Sequence, residues 1–142
     1  VAVWWTAGAQ PPQLLSTGEV AMAMAWSGRI ADAQQEGAPV AMTFKDAIAW
    51  GNAYVVPKGA SHRDEVMELI SYAITQPAQE ALLPIGTYGP VLEAAAAKAT
   101  PEQSRNIVTH PDNIKDAVIQ NDEQVAAYVA KYDEEWQKFQ LG

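Results

Sequence analysis

Apolar residues recur with two different periods along this chain. In the first third they alternate mostly with period two; beyond about residue 61 they recur at helical spacing. Residues 1–5 (VAVWW) read as a short strand closed by Thr6, Ala7 and Gly8. Pro11 and Pro12 open a brief helix that Gly18 ends. In residues 19–26 (EVAMAMAW), Val20, Met22, Met24 and Trp26 share one face and Ala21, Ala23 and Ala25 the other, which predicts a strand covered by a close-packed helix. Ser27 then caps a helix stopped by Gly37, and residues 39–44 and 50–56 complete the predicted strands, the last closed by Pro57 and Gly59.

The remainder is helical. Ser61 is positioned to cap a helix with Asp64 and Glu65 in its first turn, and Val66, Leu69, Ile70, Ala73 and Ile74 form its expected buried stripe. Pro77 starts a short helix through Leu83, after which residues 84–90 (PIGTYGP) form a turn-rich loop with an aromatic inside it. Residues 94–97 are helical by propensity, and Thr100-Pro101-Glu102-Gln103 combines a first-turn proline with the spacing of a capping box. Residues 122–139 make a long amphipathic helix with Val125, Tyr128, Val129, Tyr132, Trp136 and Phe139 on one side. Strands first and helices afterwards describe an α/β protein, and three or four short strands are a thin sheet for so many helices. With its strand-like opening, the chain reads as beginning in mid-fold.

Composition narrows the function. The 142 residues fit one domain on length alone, and 49% hydrophobic content can build a core. Nine Lys and Arg against 17 Asp and Glu leave a net charge of −8, and no two basic residues are adjacent. Nucleic acid and anionic membranes both require clustered positive charge, so neither is an expected partner. No cysteine is present, which removes disulfides and thiolate chemistry, and no apolar run approaches the ~20 residues of a membrane helix. No nucleophile elbow, zinc-protease motif, phosphate loop or dinucleotide fingerprint occurs, so an enzyme is not expected, and no metal or cofactor is implied. His62 and His110 lack partner motifs and read as surface residues, and Asp133, Glu134 and Glu135 read as a solvated helix face.

Aromatic placement is more suggestive. Trp26 and Trp50 lie at predicted strand ends beside Gly28 and Gly51; each is either core filler or a ring lining a cleft. Asn52 follows Trp50 on the same side of its strand, and Tyr88 sits in a glycine-proline loop where packing rarely requires an aromatic. Tryptophan, tyrosine and asparagine together suit a box that stacks on and hydrogen-bonds a small, cationic ligand.

The ordered series Trp5-Thr6-Ala7-Gly8-Ala9-Gln10, Gln13-Leu14-Leu15, Gly18-Glu19-Val20-Ala21-Met22, Ala25-Trp26-Ser27-Gly28-Arg29, Gly37-Ala38-Pro39-Val40, Trp50-Gly51-Asn52, Val56-Pro57-Lys58-Gly59-Ala60, Ile85-Gly86, Tyr88-Gly89-Pro90 and Gln120-Asn121-Asp122 resembles the second half of polyamine-type periplasmic binding proteins. These are the spermidine/putrescine solute receptors of bacterial ABC importers. The resemblance implies an α/β, type II, two-lobed periplasmic-binding-protein fold of which this chain is the C-terminal part, about half of a family chain. It implies that residues 1–50 and 97–142 belong to the second lobe and residues 51–96 return to the first. It further implies a periplasmic or membrane-anchored extracytoplasmic location, a permease partner in the inner membrane, and a missing N-terminal half of the same protein.

By the same resemblance Trp26 and Trp50 line the cleft. Asn52 stands where the family carries an acid that pairs with a ligand amine, Thr87 takes the tyrosine position of the loop with Tyr88 one residue on, and Gln120 matches a glutamine before the last helix. An ionised acid makes a charge-assisted bond about twice as strong as a neutral one. Asn52 therefore opens the site to a related amine, a zwitterion or a carboxylate as well as to a polyamine. Two further readings stand beside the receptor: an interaction module whose Trp and Tyr residues bury against a partner chain, and, more distantly, an enzyme using Asp46 with a nearby carboxylate.

Overall fold

The computed structural model describes residues 2–85 and 88–141. Eight helices and two short strands are formed among them: α1 (Gln10–Ser16), α2 (Ser27–Gln35), β1 (Ile48–Ala49), α3 (Arg63–Ala73), α4 (Gln76–Glu80), α5 (Glu93–Ala96), α6 (Pro101–Ser104), α7 (Pro111–Ile114), β2 (Val118–Ile119) and α8 (Asp122–Leu141).

Local chemistry accounts for several helix ends. The prolines of α1 lie in its first turn, where a missing N–H costs nothing, and Gln10 Oε1 accepts from Thr6 N at 2.7 Å and Ala7 N at 2.8 Å to fix the approach. α2 closes with Gly37 at φ 88°, where Gly37 N donates to Gln34 O and Ala38 N to Ala33 O, the paired bonds of a Schellman stop. Thr100 and Gln103 form the expected capping box at α6. His110 serves the fold directly, since its Nδ1 accepts from Asp112 N at 3.3 Å and caps α7. Along α8, Lys138 donates to Glu134 at 2.7 Å and to Glu135 at 3.1 Å. These bonds, Glu134 first, hold its pKa above the ordinary 10.5. The small support they lend to α8 is therefore present below pH 10.5 and is lost as pH rises through the raised value.

One long-range ladder organises the chain. β1 and β2 pair in parallel with Ile48 opposite Val118 and Ala49 opposite Ile119. Val118 N donates to Ala47 O at 2.7 Å, Gln120 N to Ala49 O at 2.9 Å and Asp46 N to Asp116 O at 2.8 Å. Around this pair, α1 packs on α2, while α3 packs on α4 and α4 on α5. Ile30, Ala31, Phe44, Ala49, Leu83, Ala95, Ala96 and Ile107 are buried, with Pro11 and Pro90 fully enclosed. Trp4 meets Trp136 and Phe139 edge-on, with ring centroids at 5.1 and 5.5 Å, and so ties the first residues to the end of α8.

Several expectations are corrected. The strands expected over residues 1–5, 19–26, 39–44 and 50–56 form no ladder among the described residues, and the ladder that does form is β1 with β2. Alternation specifies which face a strand would bury, but a ladder needs a neighbour to supply donors and acceptors. The alanine face expected under a helix is open, with Ala21 and Ala23 exposed and Ala25 half-buried, and on the other face Met22 and Met24 are 88% and 76% exposed. The caps also shift: Trp26 and His62, not Ser27 and Ser61, occupy the N-cap positions of α2 and α3, and neither makes a side-chain cap bond. The stripe of α3 is not buried. Val66, Ile70 and Ala73 are half-buried while Leu69 and Ile74 are exposed, because among the helices and strands α3 packs chiefly on the short α4. α8 likewise has no buried residue. Among the described residues no helix is long and apolar enough to cross a membrane.

Replacing Thr100 by Ala removes the side-chain half of the capping box, the bond from Gln103 N to Thr100 Oγ1, and leaves the backbone N–H of residue 100 bonded to Gln103 Oε1. The expected cost is about 1 kcal/mol, read as a lower urea midpoint with an unchanged slope.

Candidate functional site

β1 and β2 run in the same direction and end at the same level, so the residues that follow them emerge together. These are Trp50 after Ala49 and Gln120 after Ile119, and Gln120 N donates to Ala49 O at 2.9 Å. Trp50 is half exposed and Gln120 half buried. Gln120 Nε2 donates to Asp122 Oδ1 at 2.8 Å, which orients the amide; its Oε1 bears no hydrogen bond among the described residues. Asp122 lies in the first turn of α8, where the partial positive charge of the helix favours a carboxylate, and Asn121 Oδ1 accepts from Gln124 N at 2.9 Å to close that turn. Of the residues singled out by sequence, Trp50 and Gln120 are brought together by the backbone itself.

Asn52 lies two residues beyond Trp50, exposed and without a hydrogen bond among the described residues. Between them Gly51 faces open space, where even an added Cβ would meet nothing. The Trp50 ring, the Asn52 amide and the Gln120 carbonyl oxygen therefore offer a small solute one stacking surface, one amide that can donate or accept and one oxygen that accepts.

Trp26 is held differently. Its ring lies edge-on to Trp5, with centroids 5.8 Å apart at 87°, and Trp5 Nε1 donates to Met24 O at 2.9 Å. Gly8 lies directly against the ring: a Cβ there would come within 2.6 Å of Cζ3 and 2.7 Å of Cε3. Trp26 thus packs through one surface while 43% of it stays exposed, so the alternatives of filler and open ring are both partly realised. Trp5 and Gly8 are the residues that sequence reasoning missed here; a glycine shortly after a strand-like run was the available signal of close approach.

Tyr88 is 61% exposed, and Thr87 lies outside the described residues. Next to Tyr88, Gly89 sits flush on Ile107 and on Thr109, and the buried Thr109 Oγ1 has no hydrogen-bond partner among the described residues. No ring contact among the described residues joins Trp26, Trp50 or Tyr88 to one another. Two shallow grooves lie elsewhere. One of about 360 Å³ is lined by Val3, Gln10, Gln13, Leu14, Thr17 and Glu19; the other, about 350 Å³, lies between the segments of Val20 and Val40. Neither includes a predicted site residue. Among the described residues no cluster of three or more His, Cys, Asp or Glu could hold a metal ion.

Residues 1–110 match the family described as bacterial extracellular solute-binding protein. Over 114 residues the chain is 33% identical to the gamma-aminobutyric acid-binding protein of Pseudomonas aeruginosa, covering 80% of this chain and 32% of that protein. An ABC transporter substrate-binding protein from Bradyrhizobium japonicum superposes with a TM-score of 0.80 at 28% identity, over 98% of this chain and 44% of that one. The PBP MotA of A. tumefaciens, solved in complex with glucopine, superposes with a TM-score of 0.72 at 33% identity, over 95% of this chain and 42% of that one. The chain thus spans about a third of the curated relative and less than half of either solved protein. These relatives bind solutes and are not enzymes, and the family pattern runs through the segment that carries Trp26, Trp50, Asn52 and Tyr88. On these grounds the chain belongs to the bacterial extracellular solute-binding protein family.

Proposed function

We propose that this chain is the C-terminal portion of a two-lobed, type II receptor of an ABC importer, which closes on a small amine-bearing solute in the periplasm and delivers it to a permease in the inner membrane. The observation that carries the reading is the emergence of Trp50 and Gln120, side by side, past the carboxyl ends of a parallel strand pair. Open α/β folds take their ligands at that edge. In this reading residues 1–50 and 97–142 form the second lobe, and residues 51–96 return to a first lobe whose remaining part this chain does not supply. The packing of α1 on α2, of α3 on α4 and of α4 on α5 supports such a grouping.

Trp50 and Trp26 stack on the ligand, Asn52 and Gln120 hydrogen-bond it, and Thr87 and Tyr88 complete the wall. The favoured solute is an amine-bearing zwitterion such as γ-aminobutyrate, which is what the Pseudomonas relative is named for. Asn52 supports this choice: a neutral amide can donate to a carboxylate or accept from an amine, whereas the acid it replaces in the polyamine receptors serves only cations. A polyamine is the second reading, and it rests on the ordered motif resemblance and the net charge of −8. No bond is made or broken; recognition, closure and release are the whole cycle.

Titration calorimetry of the receptor in its full reading frame tests the reading. γ-Aminobutyrate binds more tightly than putrescine or spermidine, and Trp50→Ala weakens it by about tenfold or more, roughly 1.4 kcal/mol. Wild-type affinity in that variant would remove Trp50 from the site. Asn52→Asp restores a charge-assisted partner for an amine and shifts the preference toward putrescine by about tenfold. The 142-residue chain alone, with only part of the first lobe, binds none of the three more tightly than about 1 mM.

A further inference from the structure

The loop that presents Tyr88 is anchored by a side chain inside the core. Gln79 in α4 is a buried polar residue, 7% exposed. Its Nε2 donates to the carbonyl of Ala73, the last residue of α3, at 2.7 Å, and its Oε1 accepts from Val91 N at 2.7 Å. The partners determine which end is which, since one is a bare acceptor and the other a bare donor. Turning the amide over would break both bonds and leave buried polar groups unpaired, which folded proteins rarely tolerate.

Three consecutive residues after Tyr88 are held by three different contacts. Gly89 rests on Ile107 and Thr109, and a Cβ there would lie 2.7 Å from Ile107 Cγ2 and collide with Thr109 Oγ1. Pro90 is fully buried, and Val91 N is bound by Gln79 although the Val91 side chain is exposed. Tyr88 itself has no hydrogen bond or ring contact among the described residues. Its location is therefore inherited from the backbone behind it rather than from its own packing.

The geometry points to Gln79 as a positioning residue for the ligand site: by joining the end of α3 to the stem of the 88–91 loop, it fixes where the Tyr88 ring is offered to solute. This rests on the reading in which Tyr88 faces the ligand, but the anchoring can be judged without any ligand.

The test compares Gln79→Met, of similar length and unable to make either bond well, with Gln79→Glu. In the 142-residue chain, Gln79→Met speeds hydrogen exchange of the Val91 amide by about tenfold and moves the Tyr88 ring resonances, while the Ile107 amide stays protected. In Gln79→Glu at pH 8, the ionised carboxylate can still accept from Val91 N but has no proton for the Ala73 carbonyl, so the tie to α3 is lost and the Tyr88 resonances move, with a smaller rise in Val91 exchange than in the Met variant. Burial and that carbonyl raise the pKa of the introduced acid. By about pH 5 its protonated form donates and accepts as the amide does, and wild-type protection, referenced to free-peptide exchange at each pH, returns. Should Gln79→Met fail to fold, the Gln79→Glu variant compared with itself at the two pH values decides the same point. Unchanged Val91 exchange and Tyr88 resonances in Gln79→Met, or no recovery of Gln79→Glu at low pH, would overturn the assignment. In the full-reading-frame receptor, Gln79→Met weakens γ-aminobutyrate severalfold. Equal affinity alongside a displaced Tyr88 would overturn the ligand-facing role of Tyr88 and, with it, the positioning function.

Discussion

The parallel pairing of Ile48 with Val118 and Ala49 with Ile119 is the constraint on which the arrangement of the chain depends. Parallel strands cannot be joined by a tight turn, so everything between Ala49 and Val118 is the crossover that this pairing closes. The helices α3 to α7 are all contained in that crossover and must return the chain to β2 in register. The ladder also sets the edge of the candidate site: because the strands run in the same direction and end together, Trp50 and Gln120 leave them at one level without any contact between their side chains being required.

The pairing is short, and the packing around it is modest. Much of the buried set is alanine or proline, and a buried alanine contributes little apolar area. Large residues are instead concentrated on partly open surfaces: Met22 and Met24 after α1, Leu69 and Ile74 on and just beyond α3, and Tyr128, Tyr132 and Trp136 along α8. Rigidity in such a framework comes from individual devices. Gln10 staples the entrance to α1, Trp5 and Gly8 seat Trp26, Gln79 joins α3 to the 88–91 loop, and Trp4 holds the first residues against Trp136 and Phe139. Each acts where a candidate site residue or an otherwise unsupported segment needs a fixed position.

The legible parts of the fold were those with a local cause. Pro11 and Pro12 in a first turn, Gly37 as a left-handed stop and the Thr100 to Gln103 capping box act within a few residues, and the structure shows all three where the sequence puts them. Residues 19–26 fail for the opposite reason: their alternation is unmistakable, yet a strand is a relation between two segments and nothing among the described residues pairs with them. The short ladder at Ile48 and Val118 carried no comparable pattern. Within the candidate site, Trp26, Trp50, Asn52, Tyr88 and Gln120 stood out by residue type and motif order. The roles of Trp5, Gln79 and Asp122, which hold or orient them, were not legible, and Gly8 left only the signal of a glycine after a strand-like run, because each acts on a residue or backbone group whose nearness only folding creates.

By itself the sequence determined the helix boundaries that prolines, glycines and caps specify, the absence of clustered basic charge and of thiol chemistry, and the motif order of a solute-binding family. Those are properties of residues and their near neighbours, written in composition and short spacing. Only the tertiary structure decided that Trp50 and Gln120 share an edge, that Trp26 rests on Gly8, and that Tyr88 is carried on a stem fixed by Gln79. These depend on contacts between distant segments, which the β1–β2 ladder and a few buried polar bonds select and which no local pattern encodes.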